Sequence, residues 1–289
     1  MNRLRRRWTL IADSGSTKTD WMAMTDDGVR LCVHTQGLNP YQQDDRTIRR
    51  VLLDELCRAF SSDDVVEAVY FYGAGCRGEG AERLRMLLAA CLSVGVFCVH
   101  VHSDLLGAAH ALCGLREGVV CILGTGSGTA LYDGVRFTRQ VPSLGYVLGD
   151  EGSGAVLGRR WVAEVFKGTV EDSLRRRFLA ETGLTVDELL THVYRMPMPN
   201  RYLASFAPFL HGHRAHPDVA ALLAGEFDRF FNRCVCPYAR PDLSVHFVGS
   251  IAWHFSDELR KAAQRCGLRV GQIEKSPLAR LVDYVSGQK

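Results

Sequence analysis

The sequence predicts an α/β protein built from two successive, related domains, and three observations carry that prediction. Leu10-Ile-Ala-Asp13-Ser-Gly15-Ser16-Thr17-Lys18-Thr19-Asp20 is echoed by Cys121-Ile-Leu-Gly124-Thr125-Gly126-Ser127-Gly128-Thr129. Each is an apolar strand that enters a Gly/Ser/Thr turn and leaves as a second strand. The out-strand ends in an Asp-Gly turn both times, at Asp27-Gly28 and at Asp133-Gly134. Apolar strands then alternate with helical periods in both halves, the pattern of a layered domain with a partly parallel sheet.

The elements follow in order. Strands are expected at Thr9–Ala12, Trp21–Thr25 and Leu31–Thr35, then a helix over Asp44–Phe60 and a strand at Ala68–Tyr72. A helix over Glu79–Leu92, a strand at Val96–His102 and a helix over Leu105–Cys113 complete the first half. The second half restarts at Gly118 with strands Val119–Leu123, Thr129–Tyr132 and Phe137–Val141. A long helical stretch follows, interrupted by Met196-Pro-Met-Pro-Asn200, a breaker. Strand Val245–Val248, helix Ile251–Cys266 stopped by Gly267, strand Arg269–Ile273 and helix Pro277–Val285 close the chain. Ile251, Phe255 and Leu259 fall at i, i+4 and i+8, one buried stripe. The boundary is expected near residues 115–117, giving domains 1–115 and 116–289, the second with a helical insertion. The last helix, 277–286, is a candidate to return to the first domain, and a cleft between the two lobes is expected.

Turns of small residues let backbone N–H groups approach an anion, and glycine permits positive φ. Two such hairpins in one chain point to a duplicated unit gripping a polyphosphate, hence to an ATP-using enzyme. No G-x-x-x-x-G-K-[ST] is present, so the chain is not a P-loop protein. Gly73-Ala-Gly75-Cys-Arg-Gly78 fits G-x-G-x-x-G, but it sits mid-chain and the only acid near the required spacing, Asp104, comes late.

With 289 residues, 47% hydrophobic and 23% charged, the chain has ample material for a core. A net charge of +3 gives no reason to expect nucleic acid or a membrane as partner. The basic cluster Arg3, Arg5, Arg6, Arg7 is followed by only Trp8–Ala12 before Asp13, too short for a signal-peptide core. No apolar run approaches the ~20 residues of a membrane span. Ten cysteines without an export signal suggest a reducing, cytoplasmic location. Cys234-Val-Cys236 lacks a partner pair, and His211, His213 and His216 read as a solvated loop, so a metal cluster is not expected.

Four acids stand at strand ends or in glycine-rich turns. Asp13 closes the first strand, where a carboxylate would face phosphates and hold Mg²⁺ directly or through water, or would bond its own turn. Lys18 is suited equally to neutralising phosphate and to standing exposed on the hairpin. Asp104 ends a strand and opens a helix, a position that also suits an ordinary N-cap. Asp150 and Glu151 lie in Leu144-Gly145-Tyr-Val-Leu-Gly149-Asp150-Glu151-Gly152-Ser153-Gly154, a flexible loop ahead of a helix and a candidate ligand-facing segment.

Taken together, Asp13–Asp20, Gly37-Leu-Asn39-Pro40, Tyr72-Gly-Ala-Gly75-Cys76, Ser103–Ala109, Ile122–Gly134, Ser143–Gly158 and Phe247-Val-Gly249-Ser250-Ile251-Ala252 resemble the N-acetylglucosamine kinase group of the BadF/BadG/BcrA/BcrD ATPase family. That family lies within the actin, hexokinase and sugar-kinase superfamily. The resemblance spans nearly the whole chain and implies two ribonuclease-H-like (actin-like ATPase) lobes with ATP in the cleft and Mg²⁺ near Asp13. It implies that Asp13, Gly15, Ser16, Thr17 and Lys18 form the first phosphate motif, Gly124, Thr125, Gly126 and Ser127 the second, and Gly249 and Ser250 the adenosine motif. Asn39, Gly75, Asp104, Thr125, Asp150 and Glu151 fall where the family binds the sugar. Asp104 is the implied catalytic base, acting on the 6-hydroxyl of an amino sugar, N-acetylglucosamine or N-acetylmuramic acid. A homodimer is common in the family.

Some positions depart from the pattern. Gly128 stands where relatives often carry Asn, and Tyr146 where the animal enzymes carry His. The zinc-site cysteines of the other common bacterial sugar kinases are absent. Two other functions compete. An ATPase activator of a CoA-ester dehydratase or reductase would need iron–sulfur cysteines, but the glycine-rich loop carries Ser153. A non-catalytic actin-like sugar sensor would not need Asp13, Asp104 and Asp150 together.

Overall fold

The computed structural model describes residues 6–15 and 17–287. Arg3, Arg5 and Ser16 therefore lie outside the described residues. In chain order the first elements are β1 (Arg7–Ser14), β2 (Lys18–Met24), β3 (Arg30–Gln36), α1 (Asp45–Val51), β4 (Val65–Gly73), α2 (Gly78–Leu92), β5 (Val99–Ser103) and α3 (Asp104–Leu112). Next come β6 (Gly118–Leu123), β7 (Ser127–Tyr132), β8 (Phe137–Arg139), α4 (Gly145–Leu148), α5 (Gly154–Lys167), α6 (Asp172–Thr182) and α7 (Val186–Tyr194). They continue with α8 (Pro199–Ala204), α9 (Ala207–Gly212), α10 (Pro217–Phe230), β9 (Ser244–Val248), α11 (Ser250–His254), α12 (Ser256–Arg265), β10 (Arg269–Glu274) and α13 (Leu278–Ser286).

Two compact units result, one within Met1–Gly114 plus Ser276–Lys289, the other Leu115–Lys275. Each holds a five-stranded mixed sheet. The orders are β3-β2-β1-β4-β5 and β10-β9-β6-β7-β8, the same topology counted from opposite edges. In each, the first three strands form an antiparallel meander and the last two add parallel. The echoed segments are thus the central hairpins of two equivalent sheets.

The core of the first unit gathers Trp8, Leu10, Trp21, Val69, Phe71, Leu84 and Leu88, with Trp21 tilted against Phe71 at 5.6 Å between ring centres. Ile11 and Tyr72, on the opposite sheet face, meet Leu281, Val282 and Val285 of α13. Period-two alternation explains this split, since neighbouring strand residues face opposite ways. Gly107 makes the packing of α3 possible: a Cβ there would stand 2.9 Å from Tyr72 Cβ. The second unit packs β6, β9, α5, α10 and α12 around Trp161, Phe178, Phe227, Phe230, Phe231 and Phe247, all fully buried.

Several expected elements differ in detail. The helix expected over Asp44–Phe60 is α1 followed by a π-helical turn, Leu52–Leu56, and a 3₁₀ turn, Cys57–Ala59. The strand expected from Val96 starts at Val99, because Val96–Cys98 is a 3₁₀ turn. The helix expected over Ile251–Cys266 is two helices parted at Phe255, whose φ of −108° and ψ of 31° leave the α region. The stripe survives the break: Ile251, Phe255 and Leu259 are all buried. The glycine-rich loop holds a short helix, α4, that glycine content argues against. Arg159 compensates by donating to the carbonyls of Tyr146 and Val147 at 2.5 and 3.1 Å.

Candidate functional site

In the first unit the sequence ends three parallel strands at one level. Ser14 of β1 pairs with Gly73 of β4, and Gly73 with Ser103 of β5. Asp13 lies one residue before that line and Asp104 one after it. With ~4.8 Å between neighbouring strands, two carboxylates two strands apart share one sheet end about 10 Å apart. Ser14, fully buried, fastens the loop above them. Its hydroxyl meets Thr19 Oγ1 at 2.7 Å and donates to the Leu38 carbonyl at 3.1 Å, while the Leu38 N–H approaches it at 3.1 Å.

That fastening delivers Asn39. It is buried, its Oδ1 accepts from the Tyr41 N–H at 2.9 Å, and a Cβ on Gly75 would stand 2.2 Å from that oxygen. Gly75 also has a φ of +77°, so glycine is required twice over. The G-x-G-x-x-G pattern is thus the bend between β4 and α2 that seats Asn39. Asn39, Gly75, Asp13 and Asp104 are brought to the same end of one sheet.

Asp13 is the electrostatic centre of this unit. Burial pushes its carboxyl up from 3.8 to about 7, against a hydrogen bond from Ser276. The charges of Asp20 and Asp104 add to the rise and Lys18 opposes it. Ser276 Oγ donates to Oδ2 at 3.3 Å. Asp104 is also raised, chiefly by burial, against the Leu105 N–H at 2.8 Å and the nearby charge of Arg77. Ser103, not Asp104, is the N-cap of α3, accepting from the Leu106 N–H at 3.2 Å. Lys18 forms an exposed ion pair with Asp20 at 2.7 Å, and Asp20 also meets His34 at 2.7 Å. The turn is tight: the Gly15 N–H donates to the Lys18 carbonyl and the Thr17 carbonyl accepts from Gly37.

In the second unit three segments meet. The Gly124 N–H donates to the Gly126 carbonyl at 3.0 Å, closing the turn between β6 and β7. The first amides of α5 reach that turn, Gly154 to the Gly124 carbonyl at 2.8 Å and Ala155 to the Thr125 carbonyl at 3.1 Å. Gly249, at φ +125°, lies against β6, where a Cβ would stand 2.2 Å from the Leu123 carbonyl oxygen. Its N–H donates to Glu274, and Ser250 follows as the exposed first residue of α11. Asp150 therefore lies against Gly126 and Ser127, and Gly249 against Leu123 and Gly124 at the start of the same turn.

Asp150 is buried and adopts φ +55°, a left-handed backbone that costs a non-glycine residue of order 1–3 kcal/mol and collects at functional sites. Burial pushes its carboxyl up to about 6, against a hydrogen bond from the Ser127 N–H, with the charge of Glu151 adding to the rise. Its Oδ2 would be 3.0 Å from a Cβ on Gly126. Glu151 points elsewhere: Oε1 pairs with Arg233 at 2.9 Å and Oε2 accepts from the Cys234 thiol at 3.6 Å.

Reading the sequence missed Ser14, Ser276, Arg77 and Arg233, and took Cys234 only as half of an unpartnered C-x-C. Ser14 and Arg77 were within reach as parts of quoted motifs. Ser276 and Arg233 come from remote segments, and no local pattern marks them. Among the described residues, no group of three or more His, Cys, Asp or Glu is placed to hold a metal ion, and no helix is long and apolar enough to cross a membrane. The histidines expected in a solvated loop are half-buried: His211 lies in α9, His213 stacks on Phe209, and His216 caps α10 and meets Glu171 at 3.3 Å.

No family model matches the chain, and no curated protein matches it. Solved structures do. The chain is similar to a candidate N-acetylglucosamine kinase of Porphyromonas gingivalis, at 44% identity over 96% of this chain and 99% of that one, with a TM-score of 0.91. A candidate N-acetylglucosamine kinase of Chromobacterium violaceum is 20% identical over 97% and 99%, with a TM-score of 0.72. A ROK hexokinase of Thermus thermophilus is 15% identical over 98% and 100%, with a TM-score of 0.57, a likeness of fold alone. The fold is the two-lobed one of actin and hexokinase, as the duplicated hairpins predict.

Proposed function

Because the chain belongs to the N-acetylglucosamine kinase group of the BadF/BadG/BcrA/BcrD ATPase family, within the actin, hexokinase and sugar-kinase superfamily, we propose that it transfers the γ-phosphoryl group of ATP to the 6-hydroxyl of an amino sugar. N-acetylglucosamine is the first candidate and N-acetylmuramic acid the second. The observation that carries this reading is the shared strand end in the first unit, with Asp13 and Asp104 on one edge and Asn39 seated beside Gly75.

Phosphoryl transfer asks a protein mainly for position and charge neutralisation. Asp104 orients the sugar's primary hydroxyl and accepts its proton late in the transfer. Its raised pKa, caused by burial, makes it a better proton acceptor than an exposed carboxylate. Asn39, Gly75, Thr125 and Asp150 take the ring hydroxyls and the amide substituent. The turns at Gly15–Thr17 and Gly124–Ser127 approach the phosphates, and Gly249-Ser250 the adenosine.

Asp13 fits a Mg²⁺ site by its electrostatics. It is a desolvated carboxylate beside two further carboxylates, opposed only by a lysine and a serine hydroxyl, so a cation relieves it. One protein carboxylate with phosphate oxygens and water is the usual Mg²⁺ arrangement, and the ion would neutralise charge on the transferring phosphate. Glu151 has both oxygens engaged within the protein, which supports a structural role for it rather than sugar contact.

Coupled ATP turnover with Mg²⁺ against hexoses, amino sugars, N-acetylhexosamines and N-acetylmuramic acid tests the reading. Strong stimulation by one N-acetylated sugar, with a 6-phosphorylated product, is expected. Slow hydrolysis indifferent to every sugar overturns it.

A further inference from the structure

A closed circuit of contacts runs through the second unit and returns to its phosphate turn. The Ser127 N–H donates to the Asp150 carboxylate. The next residue, Glu151, is held by Arg233 at 2.9 Å and by the Cys234 thiol at 3.6 Å. The Cys234 carbonyl accepts from Thr129 Oγ1 at 3.0 Å, and Thr129 lies two residues beyond Ser127 on β7. Tyr238 braces the circuit from outside: its hydroxyl meets Thr129 Oγ1 at 2.8 Å and accepts from the Val141 N–H at 3.0 Å.

The two residues that hold Glu151 sit on a π-helical turn, Phe231–Val235, interposed between α10 and a 3₁₀ turn. Such turns widen a helix by one residue, redirect side chains, and are frequent at functional sites. Glu151 itself is buried. The Cys234 thiol, pushed up to about 12 by burial and by the Glu151 charge, stays protonated and so remains a donor. Arg233, by contrast, keeps 61% of its side chain exposed. It is the one charged partner of Glu151 in the circuit, and replacing it leaves the core packing untouched.

We propose that Arg233 is a positioning residue: through Glu151 it holds the acidic loop so that Asp150, in its left-handed backbone conformation, stays on the Gly126–Ser127 turn, where sugar recognition and phosphate binding are linked. This rests on the kinase reading for its consequence, though not for the contact circuit itself. A buried carboxylate deprived of its ion-pair partner is costly, so the loop relaxes until Glu151 reaches water. Asp150 then leaves the turn. The phosphate turn itself, closed by Gly124, Gly126 and the first amides of α5, keeps its shape.

The test compares wild type with Arg233→Met, which keeps the stem and removes the charge, and with Arg233→Lys. Amide exchange across residues 149–155 is expected to quicken about tenfold in Arg233→Met and to return most of the way in Arg233→Lys, while residues 9–14 of β1 stay unchanged. Exchange unaltered by Arg233→Met overturns the proposal, as does loosening spread evenly over the unit. On the sugar that wild type phosphorylates, KM for sugar is expected to rise about tenfold, with KM for ATP and kcat within threefold. A fall in kcat with the sugar KM unchanged also overturns it. A wild type that phosphorylates no sugar defeats the kinase reading, while the exchange measurement still decides the circuit. Cys234→Ala, which removes only the thiol donor, is expected to give a smaller change in the same residues.

Discussion

The two sheets share a topology, yet they treat their acids in opposite ways. In the first unit Asp13 and Asp104 are desolvated and repel one another, and neither forms an ion pair among the described contacts. In the second unit Asp150 has a backbone N–H and Glu151 has a guanidinium and a thiol. The same contrast appears one element away. Both units follow a helix with a π-helical and then a 3₁₀ turn. In the first, that π turn contributes Glu55, which receives the Gln36 N–H and side-chain amide at 2.7 and 2.8 Å and pins an edge strand. In the second it contributes Arg233 and Cys234, which grip the acidic loop. One duplicated frame has been used once to hold charge under tension and once to hold a loop in place.

The largest expected effect breaks the contrast at its active end. Asp104→Asn should retain sugar and ATP binding but lose turnover by about 10²–10⁴-fold, the usual contribution of a positioned base. A variant with near-normal kcat would remove Asp104 from that role.

Asp13→Asn separates function from stability. The folded pKa of about 7 lies above the ordinary 3.8, so the folded state holds this proton more tightly than the unfolded chain. Stability contributed by that proton is therefore present below pH 4 and lost as pH rises through 7. At pH 8 without ligands Asp13→Asn should raise Tm by about 2–4 °C for each kcal/mol of relieved repulsion, while turnover collapses. A lowered Tm at pH 8 would show that the charge is not under tension.

Asp150 offers a milder test. In the proposed site its carboxylate form would accept hydrogen bonds from sugar hydroxyls, so sugar affinity should be full above about pH 7 and decline as pH falls through 6. Asp150→Asn should raise the sugar KM by about 10–100-fold and flatten that profile. A wild-type sugar KM constant from pH 5 to 8 would count against Asp150 as the group that binds the sugar.

The smallest effect compares the two turns directly. A Cβ on Gly15 meets nothing nearer than the Lys18 carbonyl at 3.8 Å, whereas one on Gly126 approaches Asp150 Oδ2 at 3.0 Å. Thermal unfolding without ligands should leave Gly15→Ala near wild type and lower Tm by about 1–3 °C in Gly126→Ala, the cost of moving a carboxylate a few tenths of an ångström. Equal shifts would mean that the two turns are equally crowded.

Much of this was legible in the sequence, because local rules wrote it there. Strand alternation, the paired Asp-Gly turns and the repeated Gly/Ser/Thr bends depend on neighbours a few residues apart, and they sufficed to predict two related α/β units. Asp13 and Asp104 were nameable for the same reason, each standing at a strand end, whereas Asn39 and Gly75 were named through the family resemblance. The turns at Leu52–Leu56 and Phe231–Val235 were not, since a π turn is an extra residue inserted in a helix, which no residue type or spacing marks locally. Tertiary structure alone decided which groups surround the acids. Ser276 reaches Asp13 across 263 residues, and Arg233 and Cys234 reach Glu151 across more than eighty. Composition and spacing choose strands, bends and acids; the path of the chain chooses which acid keeps its charge unpaired and which is tied down, because burial and charge proximity are properties of three-dimensional neighbours.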